Sequence, residues 1–244
     1  MALLCSSAKK RRESGLFILE GTRLCSEALR EDISVCEMFY TASVLASHSE
    51  LIKALEKRAK FSDEVSEAVF AKLSDTCSPQ GVLLTVSFNE RPMATDMGRF
   101  IAFERVSDPS NLGAAARTAE ALGFSGIVLS KNGVDPFSPK SLRASMGALL
   151  RLPVIYSDDF LKTLEDYKQK GFKINGTVVN SDAMHINEIE FTENEVTIIG
   201  NEANGMTDEA KALCDRLVTI PMSGRAESLN AAAAAAIVMW EMCR

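Results

Sequence analysis

Residues 100–129 of this 244-residue chain read FIAFERVSDPSNLGAAARTAEALGFSGIVL, and this stretch indicates the fold. The apolar run 100–103 predicts a buried strand, Asp108-Pro109 predicts a turn, and 112–122 has the pattern of a helix. A second apolar run at 126–129 predicts another strand. A helix between two continuously apolar strands is typical of a parallel sheet.

The same alternation continues toward the C-terminus. Further strands are predicted at 153–156, 174–179, 196–200 and 217–221, and helices at 140–150, 160–170, 208–214 and 229–242. These elements favour an α/β fold with a parallel sheet covered on both faces. Ligands of such sheets bind at the carboxyl ends of the strands, so the loops that follow the strands are the candidates for chemistry.

A polar stretch at 89–98, NERPMATDMG, predicts a linker between two domains, 1–92 and 93–244. The N-terminal part predicts strands at 16–20, 35–40 and 81–88, helices at 22–30 and 49–60, and the start of a further helix at the acidic segment 62–65. Residues 1–92 are therefore expected to form a small α/β domain.

The composition is ordinary for a globular protein, with 46% hydrophobic and 25% charged residues. The longest apolar run, 231–240, is too short for a membrane span, and the N-terminal charges follow the apolar residues, unlike in a signal peptide. The six cysteines lack the spacing of zinc ligands, so we interpret them as reduced thiols of a cytoplasmic protein without a metal. A net charge of −6 argues weakly against nucleic-acid binding.

Residues 104–117, ERVSDPSNLGAAAR, follow the first strand of the C-terminal part. Asn111 and Arg117 are six residues apart, so they do not share one helical face. They converge only if Asn111 lies in the loop or cap before the helix. The alternative is that Asn111 only caps the helix and that Arg117 is a surface charge. Gly113 and the alanines after it remove bulk and permit a close approach to this helix.

A second segment, 198–206, reads IIGNEANGM and places Gly200 and Gly205 around three polar residues, Asn201, Glu202 and Asn204. Glycine permits a positive φ or a close approach of ligand and backbone. The segment has no lysine or arginine and lacks the ending of a phosphate-binding loop, so it favours an uncharged or cationic ligand. A polar turn with an exposed Glu202 is the alternative.

A third segment, 220–236, reads IPMSGRAESLNAAAAAA. A strand ends near Pro221, and we expect a helix to begin at Ser228, which is a good N-cap residue. The alanines permit the helix backbone to pack closely against a neighbour. Because 237–240 is apolar on every side, this end of the helix is expected to be buried.

Taken together and in this order, the three segments resemble the motifs of a known family. Asn-Leu-Gly-x-x-x-Arg (111–117), Gly-Asn-Glu-x-x-Gly (200–205) and Ile-Pro-Met-x-Gly-x-x-Glu-Ser-Leu-Asn (220–230) are similar to the three motifs of the SpoU (TrmH-type) RNA 2′-O-methyltransferases. The resemblance covers about 99–244. Residues 9–88, with FILEGTRL at 17–24, resemble more loosely the family's N-terminal RNA-binding domain, and the stretch before the basic run is shorter here.

The resemblance implies a parallel-sheet catalytic domain with a C-terminal deep trefoil knot (SPOUT-type), preceded by the small α/β RNA-binding domain. It implies a homodimer, formed through the C-terminal domain, that uses S-adenosyl-L-methionine (AdoMet) to methylate a ribose 2′-hydroxyl in RNA. The family pattern assigns the cofactor to Gly200, Asn201, Glu202, Gly205, Ile220, Met222, Ser228 and Leu229. It assigns catalysis to Asn111, Arg117, Glu202, Ser228 and Asn230.

The role of Arg117 follows from the reaction that the resemblance implies. The methyl group of a sulfonium is already activated, so the enzyme mainly aligns the attacking oxygen with it. The family proposal makes Arg117 the base, but a guanidinium stays protonated in proteins. We therefore favour Arg117 as the group that holds a phosphate of the target nucleotide and stabilises the developing alkoxide. The sequence leaves open whether the proton leaves to phosphate or to water.

The candidate RNA contacts of the N-terminal domain are Lys9, Lys10, Arg11, Arg12 and Arg23. Residues 93–244 carry a net charge of −5, which repels phosphate, so the basic cluster is expected to supply much of the RNA affinity. The alternative is that the cluster is a solvated terminal arm. The extra N-terminal domain favours ribosomal RNA, such as 23S rRNA, over transfer RNA.

Two other functions remain as alternatives to an active methyltransferase. A nicotinamide-dependent dehydrogenase needs a G-x-G-x-x-G turn after its first strand, and this chain has Asn111-Leu-Gly113 there instead. A catalytically inactive RNA-binding factor of the same fold is expected to lack site residues, and all of them are present here. The residues therefore favour the enzyme, with RNA and a second copy of the chain as partners and without a metal or a membrane.

Overall fold

The computed structural model describes residues 2–88, 96–180 and 182–244. They form two compact units. The first contains the residues up to 88 together with Asp135–Arg151, and the second contains 96–134 and Leu152–Arg244. Most of the predicted linker, at 89–95, lies outside the described residues.

Strands and helices alternate along much of the chain. The strands are β1 (Leu16–Glu20), β2 (Val35–Tyr40), β3 (Phe61–Glu64), β4 (Val82–Ser87), β5 (Arg99–Phe103), β6 (Gly126–Ser130), β7 (Val154–Ser157), β8 (Lys173–Thr177), β9 (Met184–His185), β10 (Glu195–Ile199) and β11 (Arg216–Thr219). The helices are α1 (Ala2–Ser6), α2 (Ala8–Ser14), α3 (Thr22–Arg30), α4 (Ala42–Ser47), α5 (Ser49–Glu56), α6 (Glu67–Leu73), α7 (Pro109–Ala121), α8 (Pro139–Ser145), α9 (Ala148–Arg151), α10 (Phe160–Gln169), α11 (Asp208–Leu213) and α12 (Ala231–Met242).

The first unit is built on a four-stranded sheet in the order β1-β4-β2-β3. Strand β4 is antiparallel to β1 and β2, and β3 is parallel to β2. The apolar side chains of Ile18 and Leu83 pack with Leu4 and Phe70 from the helices. This buried cluster accounts for the apolar runs that predict β1 and β4.

The predicted helix start at 62–65 is wrong. Phe61–Glu64 is the edge strand β3, and the next helix, α6, begins only at Glu67 after the N-cap residue Ser66. All four residues of β3 are exposed, so the strand has no apolar alternation that a sequence pattern detects. Its backbone pairing with β2 defines it instead.

The helix predicted at 140–150 is divided into α8 and α9. Met146 and Gly147 both have positive φ, +52° and +92°, which ends the first helix. The glycine adopts this conformation without the steric cost that a side chain brings. The chain therefore changes direction between two short helices, although its apolar spacing suits one.

The second unit is built on a seven-stranded sheet in the order β7-β6-β5-β10-β8-β11-β9, and every neighbouring pair is parallel. This agrees with the parallel sheet expected from the alternating pattern. One face packs against α10 and α11 through a buried cluster that includes Phe100, Val196, Leu164 and Ala210. Helix α12 packs against α7 and also contacts β5 and β10.

Only one side of α12 is buried within this chain. Val238 and Met239 are fully buried, whereas Trp240 is 59% exposed and Ile237 is 39% exposed. The expectation that this whole apolar end is buried is therefore wrong for the single chain, because a helix packed on one face leaves its other face in solvent. No helix within the described ranges is long and apolar enough to cross a membrane.

A buried ion pair joins the strands near the edge of the sheet where β10 and β11 begin. Arg216 donates to both oxygens of Glu195, at 2.8 and 3.0 Å, and the Glu195 side chain is fully buried. Asn175 of β8 donates to Glu195 at 2.7 Å and accepts from Arg216 at 2.6 Å. Three neighbouring strands are thus held in register by one polar cluster.

We expect Arg216→Met to lower the free energy of unfolding by about 3–5 kcal/mol, because Glu195 loses its counter-charge while it stays buried. Urea unfolding followed by circular dichroism measures the change. Arg244→Met is the control, since it breaks a partly exposed ion pair with Glu241 and is expected to cost less than about 1 kcal/mol. Similar losses in the two variants would contradict the role of the buried pair.

Candidate active site

The second unit contains a cavity of about 640 Å³ at the carboxyl ends of β8, β10 and β11. The loops that follow these strands form its walls. The lining residues are Thr177, Val178, Val179, Asn180, Ile199, Gly200, Asn201, Glu202, Ala203, Asn204, Gly205, Met206, Lys211, Leu217, Thr219, Ile220, Met222, Glu227, Ser228, Leu229, Ala231 and Ala234. The volume lies within the range of small-molecule binding sites.

A carboxylate at this cavity, that of Glu202, binds the segment after β5. Its Oε2 accepts from the backbone N–H and the hydroxyl of Ser107, both at 3.1 Å, and its Oε1 accepts from the N–H of Asp108 at 3.3 Å. Asn111 Nδ2 donates to Oε1 at 2.9 Å. Two of the three motif segments are therefore joined through Glu202.

The third segment joins through Asn230. Its Nδ2 donates to Asn111 Oδ1 at 2.9 Å, and its Oδ1 accepts from the backbone N–H groups of Ala232 and Ala233. Asn230 is thus the N-cap of α12, and the expectation that Ser228 caps this helix is wrong. Asn230 therefore has two roles, since it caps α12 and also bonds to Asn111 of the first motif segment. Residue spacing along the sequence does not reveal the second role.

Opposing effects act on the pKa of Glu202. Burial raises it, but the hydrogen bonds from Asn111 and from the backbone N–H groups of Ser107 and Asp108 lower it more. The pKa therefore lies below its ordinary value of 4.5, and the group is ionised at neutral pH. Because both oxygens already accept hydrogen bonds, Glu202 is suited to hold the loops and poorly suited to act as a base.

The loop between β10 and α11 makes a tight turn. Asn201 and Gly205 exchange backbone hydrogen bonds at 3.1 and 2.9 Å, and Gly205 has a φ of +65°. A Cβ at Gly200 would come within 2.5 Å of the backbone of Gly205 and Met206. Glycine at 200 is therefore required by the closure of the loop itself.

Glu104 holds the loop 200–206, and sequence reasoning did not single it out. Its carboxylate is buried and accepts from the hydroxyl and the N–H of Thr207, at 2.6 and 2.9 Å. Its own N–H donates to the carbonyl of Ile199 at 2.9 Å, so Glu104 holds both ends of the loop 200–206. A carboxylate directly after a buried strand was the available signal.

All of the residues assigned to the cofactor by resemblance line the cavity, namely Gly200, Asn201, Glu202, Gly205, Ile220, Met222, Ser228 and Leu229. The sequence analysis did not select the loop after β8, which supplies residues 177–180 to the same wall. Its only signal is its position at the carboxyl end of a strand.

Arg117 lies apart from this group. Asn111 is in the first turn of α7, not ahead of the helix, and Arg117 lies six residues further along the same helix. The Arg117 side chain is exposed and has no hydrogen bond or ion pair with any described residue. The condition under which the two side chains converge is therefore not met within one chain.

The basic cluster of the first unit divides into a buried and an exposed part. Arg11 is 3% exposed, pairs with Asp135 at 2.7 Å and donates to the carbonyls of Leu4 and Cys5. Its assignment as an RNA contact is wrong, because its donors are used inside the unit. Lys9, Lys10, Arg12 and Arg23 are exposed.

Convergent polar side chains beside one cavity, at the carboxyl edge of a parallel sheet, define a ligand-binding α/β enzyme domain. Residues 98–240 match the family model described as the SpoU rRNA Methylase family, and residues 4–84 match the one described as an MRM3-like substrate binding domain. The chain belongs to the SpoU rRNA methylase family.

Similar proteins span nearly the whole chain. It is 33% identical over 97% of its length to an uncharacterized tRNA/rRNA methyltransferase of Synechocystis, of which it covers 86%. It is 30% identical over 96% of its length to the 23S rRNA (guanosine(2553)-2′-O)-methyltransferase RlmP of Bacillus subtilis, of which it covers 91%. The SpoU methyltransferase AviRb of Streptomyces viridochromogenes, solved in complex with AdoMet, has a TM-score of 0.87 at 26% identity, and the match covers 99% of this chain and 94% of that one.

The cavity fits AdoMet, the cofactor of the family. Ile199, Leu217 and Ile220 offer apolar surface for a flat adenine, and Thr219 and Ser228 offer hydroxyls for polar groups. Within the described ranges, no group of three or more histidine, cysteine, aspartate or glutamate residues is arranged to hold a metal ion.

We expect Glu202→Gln to raise the dissociation constant for AdoMet about tenfold. The glutamine NH₂ would face N–H donors that now point at a carboxylate oxygen, so the loops lose their link. Isothermal titration calorimetry measures the constant, at a temperature where circular dichroism shows each variant folded. Glu209→Gln, at an exposed position of α11, is the matched control. Unchanged AdoMet affinity in Glu202→Gln would refute the linking role.

Proposed function

We propose that the protein transfers a methyl group from AdoMet to a ribose 2′-hydroxyl of 23S ribosomal RNA. The observation that carries this proposal is the hydrogen-bonded chain of Asn230, Asn111 and Glu202 beside the cavity. These hydrogen bonds join all three motif segments beside the loops that line the cavity. Because its proposed substrate is ribosomal RNA, we also propose that the protein works in the cytoplasm.

Ribosomal RNA is favoured over transfer RNA by two findings. The N-terminal match, over residues 4–84, is to a substrate-binding domain. The relative RlmP, which is named for 23S rRNA, aligns over 96% of this chain and therefore includes that region. Transfer RNA remains the alternative substrate.

Catalysis by this chain depends on aligning the attacking ribose oxygen with the methyl group of AdoMet. AdoMet supplies an activated methyl group when bound. The carboxylate of Glu202 holds Asn111, and Asn111 holds Asn230, so the polar groups at the cavity are fixed before RNA arrives. Fixed groups of this kind favour the transition state because they need no reorganisation during the reaction.

We assign Arg117 to the RNA. Its exposed guanidinium makes no hydrogen bond within the described part of the chain, so it is available to hold a phosphate of the target nucleotide. We also assign this charge to the alkoxide that develops on the attacking oxygen; because Arg117 lies apart from the cavity of its own chain, that role requires the cavity of a second copy. A permanently protonated group performs both tasks without serving as the base.

The domain assignment follows from this division of work. Residues 1–92 are assigned as the RNA substrate-binding domain, with Lys9, Lys10, Arg12 and Arg23 as phosphate contacts, and 93–244 as the methyltransferase domain, except that Asp135–Arg151 belongs to the first compact unit. The C-terminal segment is proposed to form the deep trefoil knot. The order β10-β8-β11 supports it, because the chain after β11 must return past these strands for Asn230 to reach Asn111 on α7.

The protein is further proposed to be a homodimer through its C-terminal domain. Ala233, Ile237 and Trp240 lie on one exposed face of α12, at a spacing of four and three residues. Contiguous apolar surface of this kind favours burial against a second copy.

The purified protein is expected to incorporate tritium from methyl-labelled AdoMet into protein-free 23S rRNA and not into transfer RNA. Arg117→Ala should slow this transfer about 100- to 1000-fold, because a transition-state contact of about 3–4 kcal/mol is lost, while AdoMet affinity by calorimetry stays unchanged. Lys173→Ala, at the opposite edge of the sheet, serves as the control. Labelling of transfer RNA alone would favour the alternative, and normal turnover by Arg117→Ala would remove its assigned role.

The dimer is tested with Trp240→Glu in the full-length protein. Light scattering after size exclusion should give about twice the chain mass of 26.5 kDa for the wild type and about one chain mass for the variant. A charge placed in an apolar interface opposes association. Val69→Glu introduces the same charge at an exposed apolar residue of the first unit and should leave the dimer intact. A monomeric wild type would refute the proposal.

A further inference from the structure

The lysines and arginines of the second unit differ in whether they have a partner. Most of them form an ion pair with a nearby acid, as do Lys131, Lys162, Lys168, Lys170, Lys211, Arg216 and Arg244. Arg99 donates to the carbonyl of Thr192. Within the described ranges of this unit, the exceptions are Arg105, Arg117, Lys173 and Arg225, whose side chains are all exposed.

Three of these exceptions occupy the motif segments. Arg105 follows β5, Arg117 lies on α7, and Arg225 lies in the loop between β11 and α12. Lys173, in contrast, is the first residue of β8 and lies at the amino-terminal edge of the sheet, away from the cavity. An unpaired guanidinium binds a phosphate without first breaking an internal ion pair, so its charge is fully available to RNA.

Arg105 is held in an unfavourable backbone conformation. Its φ is +55°, in the left-handed region that favours glycine. Neighbours fix this conformation, because its N–H donates to Ser130 Oγ at 2.7 Å and its carbonyl accepts from Asn201 at 2.7 Å. Glycine would adopt this conformation with less strain. The Arg105 side chain, in contrast, makes no hydrogen bond or ion pair with any described residue. A side chain kept at such a position points to a partner outside the chain.

Arg225 lies in a loop whose C-terminal end is held by the same network. Its loop begins after β11 and ends at Asn230, which bonds to Asn111. The Arg105 carbonyl bonds to Asn201, the neighbour of Glu202. Both arginines therefore belong to segments that the Glu202 network holds at the carboxyl edge of the sheet, where the cavity opens.

Resting on the proposed function, we infer that Arg105 and Arg225 each bind a phosphate of the RNA backbone that flanks the target nucleotide. They supply local positive charge to a catalytic half whose net charge is −5. Arg117 acts at the reacting nucleotide, whereas Arg105 and Arg225 bind its neighbours. The catalytic domain thus holds RNA itself, in addition to the contacts of the N-terminal domain.

The test compares Arg105→Gln, Arg225→Gln and the double variant with wild type in filter binding of protein-free 23S rRNA over a salt series. Each lost phosphate contact should reduce the slope of log affinity against log salt by about 0.7–0.9 and weaken binding about fivefold near physiological salt. Lys173→Gln is the matched control, because it removes an unpaired charge from the opposite edge. Its slope should equal that of the wild type.

Two further measurements separate the possible failures. AdoMet affinity by calorimetry should not change in either glutamine variant, and Arg105→Lys should restore most of the slope. Loss of AdoMet affinity would show that the substitutions disturb the loops. Salt slopes equal to that of the wild type would show that RNA does not contact Arg105 or Arg225. Either result overturns the inference. A wild type that binds neither AdoMet nor rRNA would instead refute the proposed function.

Discussion

The site depends on the hydrogen bonds that the carboxylate of Glu202 accepts. The carboxylate accepts hydrogen bonds from Ser107, Asp108 and Asn111, and Asn111 in turn accepts one from Asn230. Segments that lie more than ninety residues apart in the chain meet at this one group. A carboxylate is the suitable group here, because all of these hydrogen-bond partners are donors. An ionised acceptor also forms stronger hydrogen bonds than a neutral one.

The parallel sheet makes this convergence possible and divides the unit into two ends. At the carboxyl edge, loops leave the strands and are free to form a cavity. Toward the opposite edge, a buried ion pair between Glu195 and Arg216 fixes the register of the strands that carry those loops. Rigid pairing at one end lets the other end present polar groups in fixed positions, which is what methyl transfer by alignment requires.

Much of the fold was predictable because buried parallel strands are continuously apolar. The runs that became β5, β6, β10 and β11 were located within one or two residues. The failures have definite physical causes. The exposed edge strand β3 has no apolar pattern, Met146 and Gly147 interrupt a helix through their backbone conformation, and Asn230 rather than Ser228 caps α12 because it also bonds to Asn111.

The sequence by itself determined the α/β alternation and the three motif segments, because these follow from local apolar pattern and residue type. The resemblance of those segments to a known family then assigned eight of the residues that line the cavity. Only the tertiary structure decided which polar groups meet. It joined Asn111, Glu202 and Asn230, revealed Glu104 as the group that holds the loop 200–206, and buried Arg11 against Asp135. It also left the side chains of Arg105 and Arg225 exposed, with no partner among the residues that the structure describes. Pairing between side chains distant in the chain depends on how strands are ordered in the sheet, and residue spacing along the sequence does not contain that order.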